Sequence, residues 1–153
     1  MIPVANGLLH ATAVAIDGQA ALIIGPSGSG KSDLALRLLT TPFRVGGRAV
    51  SVDLVADDQV VLEREGKRLF ASAPSVIAGQ LEVRGVGILP FACLARAEVR
   101  LVVSIDPGQA IERMPDAGLA ETLLDVPVRL VHLAAYEASA PAKLVAALLQ
   151  GRA

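Results

Sequence analysis

The 153 residues fit one domain, since domains cluster near ~100–150 residues, and the expected organisation is a single domain over residues 1–153. With 53% hydrophobic but only 3% aromatic residues the core must be aliphatic, and a net charge of −1 without a basic block argues against a nucleic-acid partner. No apolar run approaches the ~20 residues that span a bilayer, so no membrane partner is expected.

The N-terminal stretch MIPVANGLLHATAVAID has no basic start and carries a His and an Asp, which sit badly in a secretion signal. A cytoplasmic location is the expectation. Leu8 to Ile16 alternates as a strand, Asp17-Gly18 marks a turn, and Ala20 to Ile24 is a short apolar run suited to a buried strand. From Lys31 through Leu39 the apolar positions Leu34, Ala35, Leu38 and Leu39 recur at helical spacing, and Pro42 ends the pattern. Residues Phe43 to Arg48 form a polar, glycine-containing stretch that reads as a surface loop.

Ala49 to Val55 reads as a strand that ends at Asp57-Asp58. Gln59 to Leu62 and Arg68 to Ala71, separated by Glu65-Gly66, read as a hairpin. Pro74 and Gly79 bracket a short helix or loop before a strand at Leu81 to Val83. The lone cysteine, Cys93, excludes an intramolecular disulfide and is expected to be a small buried residue. Glu98 to Ile105 is a further apolar strand, Gln109 to Met114 a short helix, and Val126 to Leu133 a last strand. Pro141 lies in the first turn of a terminal helix to Leu149, with Ser139 as its N-cap. Strands outnumber helices, which predicts an α/β fold with a mixed, strand-rich central sheet and flanking helices.

The segment Gly25-Pro26-Ser27-Gly28-Ser29-Gly30-Lys31-Ser32 matches the P-loop pattern at every required position. Glycines let the backbone curl close to phosphate oxygens with successive N–H groups pointing inward, and the helix that begins near Lys31 adds the positive field of its N-terminus. Lys31 supplies a cation for the β- and γ-phosphates, and the Ser32 hydroxyl is suited to Mg²⁺ coordination beside water and phosphate oxygens. Adjacent carboxylates such as Asp57 and Asp58 are costly to desolvate together without a cation, and a magnesium ion with a phosphate-loop lysine would hold them ionised. A P-loop alone does not choose among reactions.

Three further features in a fixed order resemble the HPr kinase/phosphorylase family. His10 stands on the strand before the loop strand, Leu54-Val55-Ala56-Asp57-Asp58 is similar to that family's LVADD segment, and Leu81-Glu82-Val83-Arg84-Gly85-Val86-Gly87-Ile88 is similar to its E-[IV]-R-G-[LV]-G-I signature. The likeness continues through Ala97-Glu98-Val99-Arg100 to Arg113, covering about Leu8 to Met114. It implies a protein serine kinase that uses ATP and Mg²⁺ and acts on HPr or an HPr-like phosphocarrier. Asp57 and Asp58 would then form the catalytic acid/base region, either one accepting the hydroxyl proton, with Asp57, Ser32 and Glu82 on the metal side. His10 would bind phosphate or tune the Asp pair, Arg84 would balance phosphate charge, and Arg113 would neutralise the transferring group. Gly85 and Gly87 would let the signature segment bend or approach the site.

The resemblance also implies an oligomer, a hexamer in longer relatives. Because the chain begins almost at the matching core, regulation through the separate N-terminal domain of longer members is not carried over. Longer members have a PVRPGRN-like segment tied to phosphate-dependent dephosphorylation, whereas here the corresponding stretch runs from Leu133 through Tyr136 and Glu137 to Lys143 without the arginine pair. Kinase activity is therefore expected more firmly than phosphorylase activity. Two other functions compete: a P-loop kinase of a small alcohol-bearing metabolite, and a nucleotide-controlled binding module. His132 and Tyr136 match no motif and read as structural.

Overall fold

In the computed structural model, which describes residue 2 and residues 4–150, a nine-stranded mixed sheet carries two helices on one of its faces. Met1, Pro3 and residues 151–153, at the ends of the expected 1–153 domain, lie outside the described residues. In chain order the strands are β1 (Leu8–His10), β2 (Thr12–Ile16), β3 (Gln19–Ile24), β4 (Phe43–Val45), β5 (Arg48–Val50), β6 (Val52–Ala56), β7 (Gln59–Glu65), β8 (Arg68–Ser72), β9 (Gln80–Val83), β10 (Gly87–Pro90), β11 (Ala97–Ser104), β12 (Ala120–Leu123) and β13 (Val126–His132). The helices are α1 (Lys31–Thr40) and α2 (Ala140–Gln150). The main sheet runs β1-β7-β8-β11-β3-β2-β6, with β13 joined to β11 and β12 to β13.

The turn at Asp17-Gly18 joins β2 to β3 with positive φ at both residues, 49° and 81°, as a primed hairpin turn requires. On β3, Ala20 and Leu22 face one core cluster while Ala21 and Ile23 face the other. This explains why the segment reads as an unbroken apolar run: both faces of the strand are buried. One cluster lies within the strands alone, gathering Leu9, Val60, Leu69, Val102 and Leu123. The other lies under the helices, where Leu34 and Leu38 of α1 and Leu144 and Leu148 of α2 meet Ile23, Leu101 and Val103. Each buried leucine contributes roughly 1.5–3 kcal/mol. The flanking helices thus share one face, and the sheet's other face is covered by its own strands.

Several expected boundaries move. Leu8 to Ile16 is two strands, because β1 pairs with β7 while β2 turns to pair with β3 and β6. Ala49 to Val55 likewise divides into β5 and β6, and the expected 43–48 loop is the hairpin β4–β5. Its turn at Gly46-Gly47 has φ of 58° and 76°, a conformation that glycine adopts without strain. No helix forms at Gln109 to Met114; the segment is an exposed irregular connection between β11 and β12. A segment this short has the composition of a helix but does not persist as one when no neighbouring element packs on it.

Cys93 is exposed, contrary to expectation. The stretch around it pairs with β6, the Leu54 N–H donating to the Ala92 carbonyl at 3.1 Å and the Leu94 N–H to the Leu54 carbonyl at 2.9 Å. Ser139 does hold the N-cap position, its carbonyl accepting from the Lys143 N–H at 2.8 Å, but its hydroxyl donates to Glu137 at 3.1 Å. Among the described residues no helix is long and apolar enough to cross a membrane.

Candidate active site

The parallel strands β3, β11 and β13 finish at one edge of the sheet, where α/β sheets place their ligands. Strand β2 is antiparallel to both β3 and β6, so β6 also runs toward that edge. The 25–32 loop leaves β3 and Asp57-Asp58 leave β6, so both arrive at the same place. Thr12, opening β2 opposite Ile23, stands between them.

The loop itself is shaped by its glycines. Gly28 and Gly30 have φ of 79° and 105°, and Gly30 is the N-cap of α1, which begins at Lys31. Lys31 is buried at 8% exposure and donates to the Gly25 and Pro26 carbonyls at 2.8 and 3.0 Å. Burial lowers its pKa from the ordinary lysine range, opposed by the negative charges of Asp58 and Asp57. The ammonium is thus held at the loop's own carbonyls within the field of two carboxylates.

The two carboxylates have different surroundings. Asp57 is 7% exposed, and its Oδ1 accepts from the Ser32 hydroxyl at 2.7 Å and the Thr12 hydroxyl at 2.9 Å. Its Oδ2 accepts from the Glu82 N–H at 3.4 Å, which ties β9 to the site. Asp58 is 73% exposed and sits in the left-handed region at φ 68°, an uncommon conformation for a residue with a side chain. His10 Nδ1 lies 3.1 Å from the Asp58 carbonyl and 3.4 Å from its Oδ1.

A cavity of about 340 Å³ joins these groups, lined by His10, Thr12, Lys31, Ser32, Asp58, Glu82, Arg84 and Tyr136 together with Ser27, Gly28, Gly30, Asp33, Leu36 and Val83. Along β9 the side chains alternate, Leu81 and Val83 entering the core while Glu82 is exposed and Arg84 follows in the turn. Among the described residues Glu82 and Arg84 form no ion pair, so neither charge is neutralised by the other. Gly85 and Gly87, at φ 88° and 132° with open space beside them, are turn glycines that let β9 reverse into β10. Arg113 is exposed on the 105–119 connection and is not among the cavity-lining residues.

Among the lining residues that a reading of the sequence does not single out, Thr12 and Tyr136 matter most. Thr12 carries a usable signal, because a hydroxyl within an otherwise apolar buried strand must find a partner. Tyr136 carries none in its spacing. It arrives through the loop after β13, which Arg37 of α1 fixes by donating to the Ala135 and Glu137 carbonyls while paired with Asp33 at 3.0 Å.

A mixed α/β sheet whose glycine loop, helix N-terminus, buried lysine and exposed Asp58 converge on one cavity, with Asp57 buried against the Thr12 and Ser32 that line it, defines the class: an α/β protein with an anion-suited site at a strand–loop–helix junction. The family model described as HPr Serine kinase C-terminal domain matches residues 4–151, and the chain belongs to that family. It is 34% identical over 136 residues to the HPr kinase/phosphorylase of Limosilactobacillus reuteri (strain DSM 20016), covering 82% of this chain and 40% of the relative. It is 35% identical over 136 residues to that of Clostridium tetani (strain Massachusetts / E88), covering 82% of this chain and 41% of the relative. The matched region thus spans about two-fifths of these curated relatives. The solved structure of the Hpr(Ser) kinase/phosphatase from Coxiella burnetii superposes with a TM-score of 0.76 at 27% identity, covering 95% of each chain.

Proposed function

We propose that the chain, acting as one catalytic domain over residues 1–153, is a protein serine kinase that transfers the γ-phosphoryl group of ATP to HPr or an HPr-like phosphocarrier. The observation that carries this reading is the different setting of the two carboxylates. Asp57 is buried and bonded to Ser32 of the P-loop, whereas Asp58 is exposed in the cavity beside His10. A phosphate sensor has no need of the second group; a kinase needs a base within reach of the attacking hydroxyl.

Among the described residues no group of three or more His, Cys, Asp or Glu side chains is arranged to hold a metal alone. That suits Mg²⁺ at a phosphate site, which is bound through one or two protein oxygens, waters and the nucleotide's own phosphates. Asp57 fits the ion: it is a buried carboxylate whose partners are neutral donors. Ser32 and Asp57 would hold the metal, with Glu82 holding it or one of its waters, and the metal would neutralise charge on the β- and γ-phosphates. Asp58 accepts the proton of the substrate serine, and His10 orients it through its Nδ1. Lys31 and the loop amides hold the phosphates, and Arg84 offsets charge from the signature turn. Arg113 joins the transferring group if the 105–119 connection closes over bound nucleotide.

Purified protein incubated with labelled ATP and either HPr or a pool of small metabolites tests the assignment. Label on a serine of HPr is expected; label appearing only in metabolites would replace it with a small-molecule kinase. Nucleotide-dependent partner binding without transfer would point instead to a binding module.

Glu82→Gln is expected to raise the Mg²⁺ concentration needed for half-maximal transfer by about tenfold while leaving HPr affinity unchanged. An unaltered magnesium titration would remove Glu82 from the metal side. The reaction is also expected to run mainly forward. Attack by inorganic phosphate on phosphoserine brings two anions together and needs dedicated cations, while the stretch after β13 offers Glu137 ion-paired with Lys143. Phosphate-driven dephosphorylation of phosphoserine-HPr should therefore be at least about tenfold slower than transfer from saturating ATP. Comparable rates would show that the missing arginines are dispensable.

A further inference from the structure

We propose that Tyr136 forms the aromatic wall of the nucleoside subsite, contacting the base and ribose of the nucleotide whose phosphates the P-loop binds; this rests on the nucleotide-binding reading above. The sheet order supplies the direction. Strand β6, which delivers Asp57-Asp58, lies two strands to one side of β3, and β13 lies two strands to the other. A nucleoside triphosphate that sets its terminal phosphate beside Asp58 and Ser32 must extend its nucleoside the opposite way, across Gly30 toward the segment that follows β13.

Tyr136 stands at that position. A side-chain carbon on Gly30 would lie 3.0 Å from both Cζ and Oη of the tyrosine, so the ring tip rests against the loop at the head of α1. Yet the residue remains 71% exposed and lines the same cavity as Lys31 and Asp58. A large aromatic ring with one end against the loop and most of its surface uncovered gains by covering an apolar, planar partner. The segment is also held in advance: Arg37, itself paired with Asp33, donates to the carbonyls on both sides of Tyr136. A ring placed in this way loses little conformational freedom when a base stacks on it. Tyrosine is present once in the chain, and among the described residues no phenylalanine or tryptophan lines the cavity.

Affinities of ATP and of pyrophosphate, measured by calorimetry on the whole chain in wild-type, Tyr136→Phe and Tyr136→Ala forms, test the proposal. Tyr136→Ala is expected to weaken ATP about tenfold, as the loss of one aromatic–base contact does, leaving pyrophosphate affinity unchanged. Tyr136→Phe should retain wild-type ATP affinity. Equal loss of ATP and pyrophosphate in the alanine variant would show that the ring only braces the loop, and no change in either would show that it contacts nothing; both results overturn the proposal. Failure of the wild type to bind pyrophosphate or ATP would overturn the P-loop reading itself, and the subsite with it. A thermal midpoint for each variant confirms that the fold is intact, which the exposure of Tyr136 leads one to expect.

Discussion

Asp58→Asn is expected to lower the transfer rate by about 10²- to 10⁴-fold, the span over which a positioned general base contributes, while ATP affinity stays within about twofold of wild type. The asparagine keeps the size of the side chain and tolerates the left-handed backbone found at φ 68°, so the loss reports proton acceptance rather than a rearranged turn. Asp57→Asn should behave differently. Its carboxylate accepts from two hydroxyls and one backbone N–H, and an amide in its place sets a donor either against the Thr12 and Ser32 hydroxyls or against the Glu82 N–H, besides removing the negative charge. The expected result is a lower thermal midpoint and a raised magnesium requirement in addition to slower transfer. Rate constants at saturating ATP and magnesium, set beside melting curves, separate the two. If Asp58→Asn retains activity and Asp57→Asn alone abolishes it with magnesium in excess, the roles are reversed.

Lys31→Ala should cost about 10³-fold in transfer, comparable to removing a charge that stabilises a transferring phosphoryl group. The effect on stability should have the opposite sign from that usual for a buried residue. Burial lowers the pKa of Lys31, so its charged form is less favourable in the folded protein than in the unfolded chain. A lysine with a folded pKa below its unfolded value opposes folding in full at pH below the folded pKa; the penalty shrinks as pH rises from the folded toward the unfolded pKa and is absent above it. Wherever Lys31 is charged in the folded protein the penalty is present, so Lys31→Met should melt at or above the wild-type temperature while remaining inactive. The lysine would then be retained for function at the expense of stability. Lys31→Met melting well below wild type with unimpaired transfer would contradict both halves of this expectation.

Much of the site is legible in the amino-acid sequence because its chemistry is local. Gly25 to Ser32 shapes itself through consecutive backbone conformations, and the helix that follows carries its own apolar period, so strand, loop and helix follow in the expected order. Asp57-Asp58 stands out by its position at a strand end, yet the two residues are equivalent in sequence. Only tertiary packing distinguishes them: the pairing of β2 with β6 brings Thr12, and the seating of α1 brings Ser32, to one carboxylate while its neighbour stays exposed.

The segments whose structure departs from expectation share a different cause. The split of Leu8 to Ile16 depends on β7 and β6 pairing with successive halves of one alternating stretch, which alternation by itself cannot reveal. Gln109 to Met114 has the composition of a short helix, but no neighbouring element buries it, and helices of that length need tertiary packing to persist. Cys93 has the apolar neighbours of a buried residue; its exposure follows from where the 92–94 segment meets the rim of β6.

Residues adjacent in the chain, or periodicity within one element, suffice for the aliphatic core, the mixed strand-rich sheet, the loop suited to phosphate and the family. Packing was needed to settle that both helices cover one face, that Asp57 and Asp58 differ, and that Thr12 and Tyr136 line the cavity. Those outcomes depend on contacts between residues 25 to more than 100 positions apart, as in Ser32 to Asp57 and Gly30 to Tyr136, and such contacts are fixed by how strands pair and helices dock.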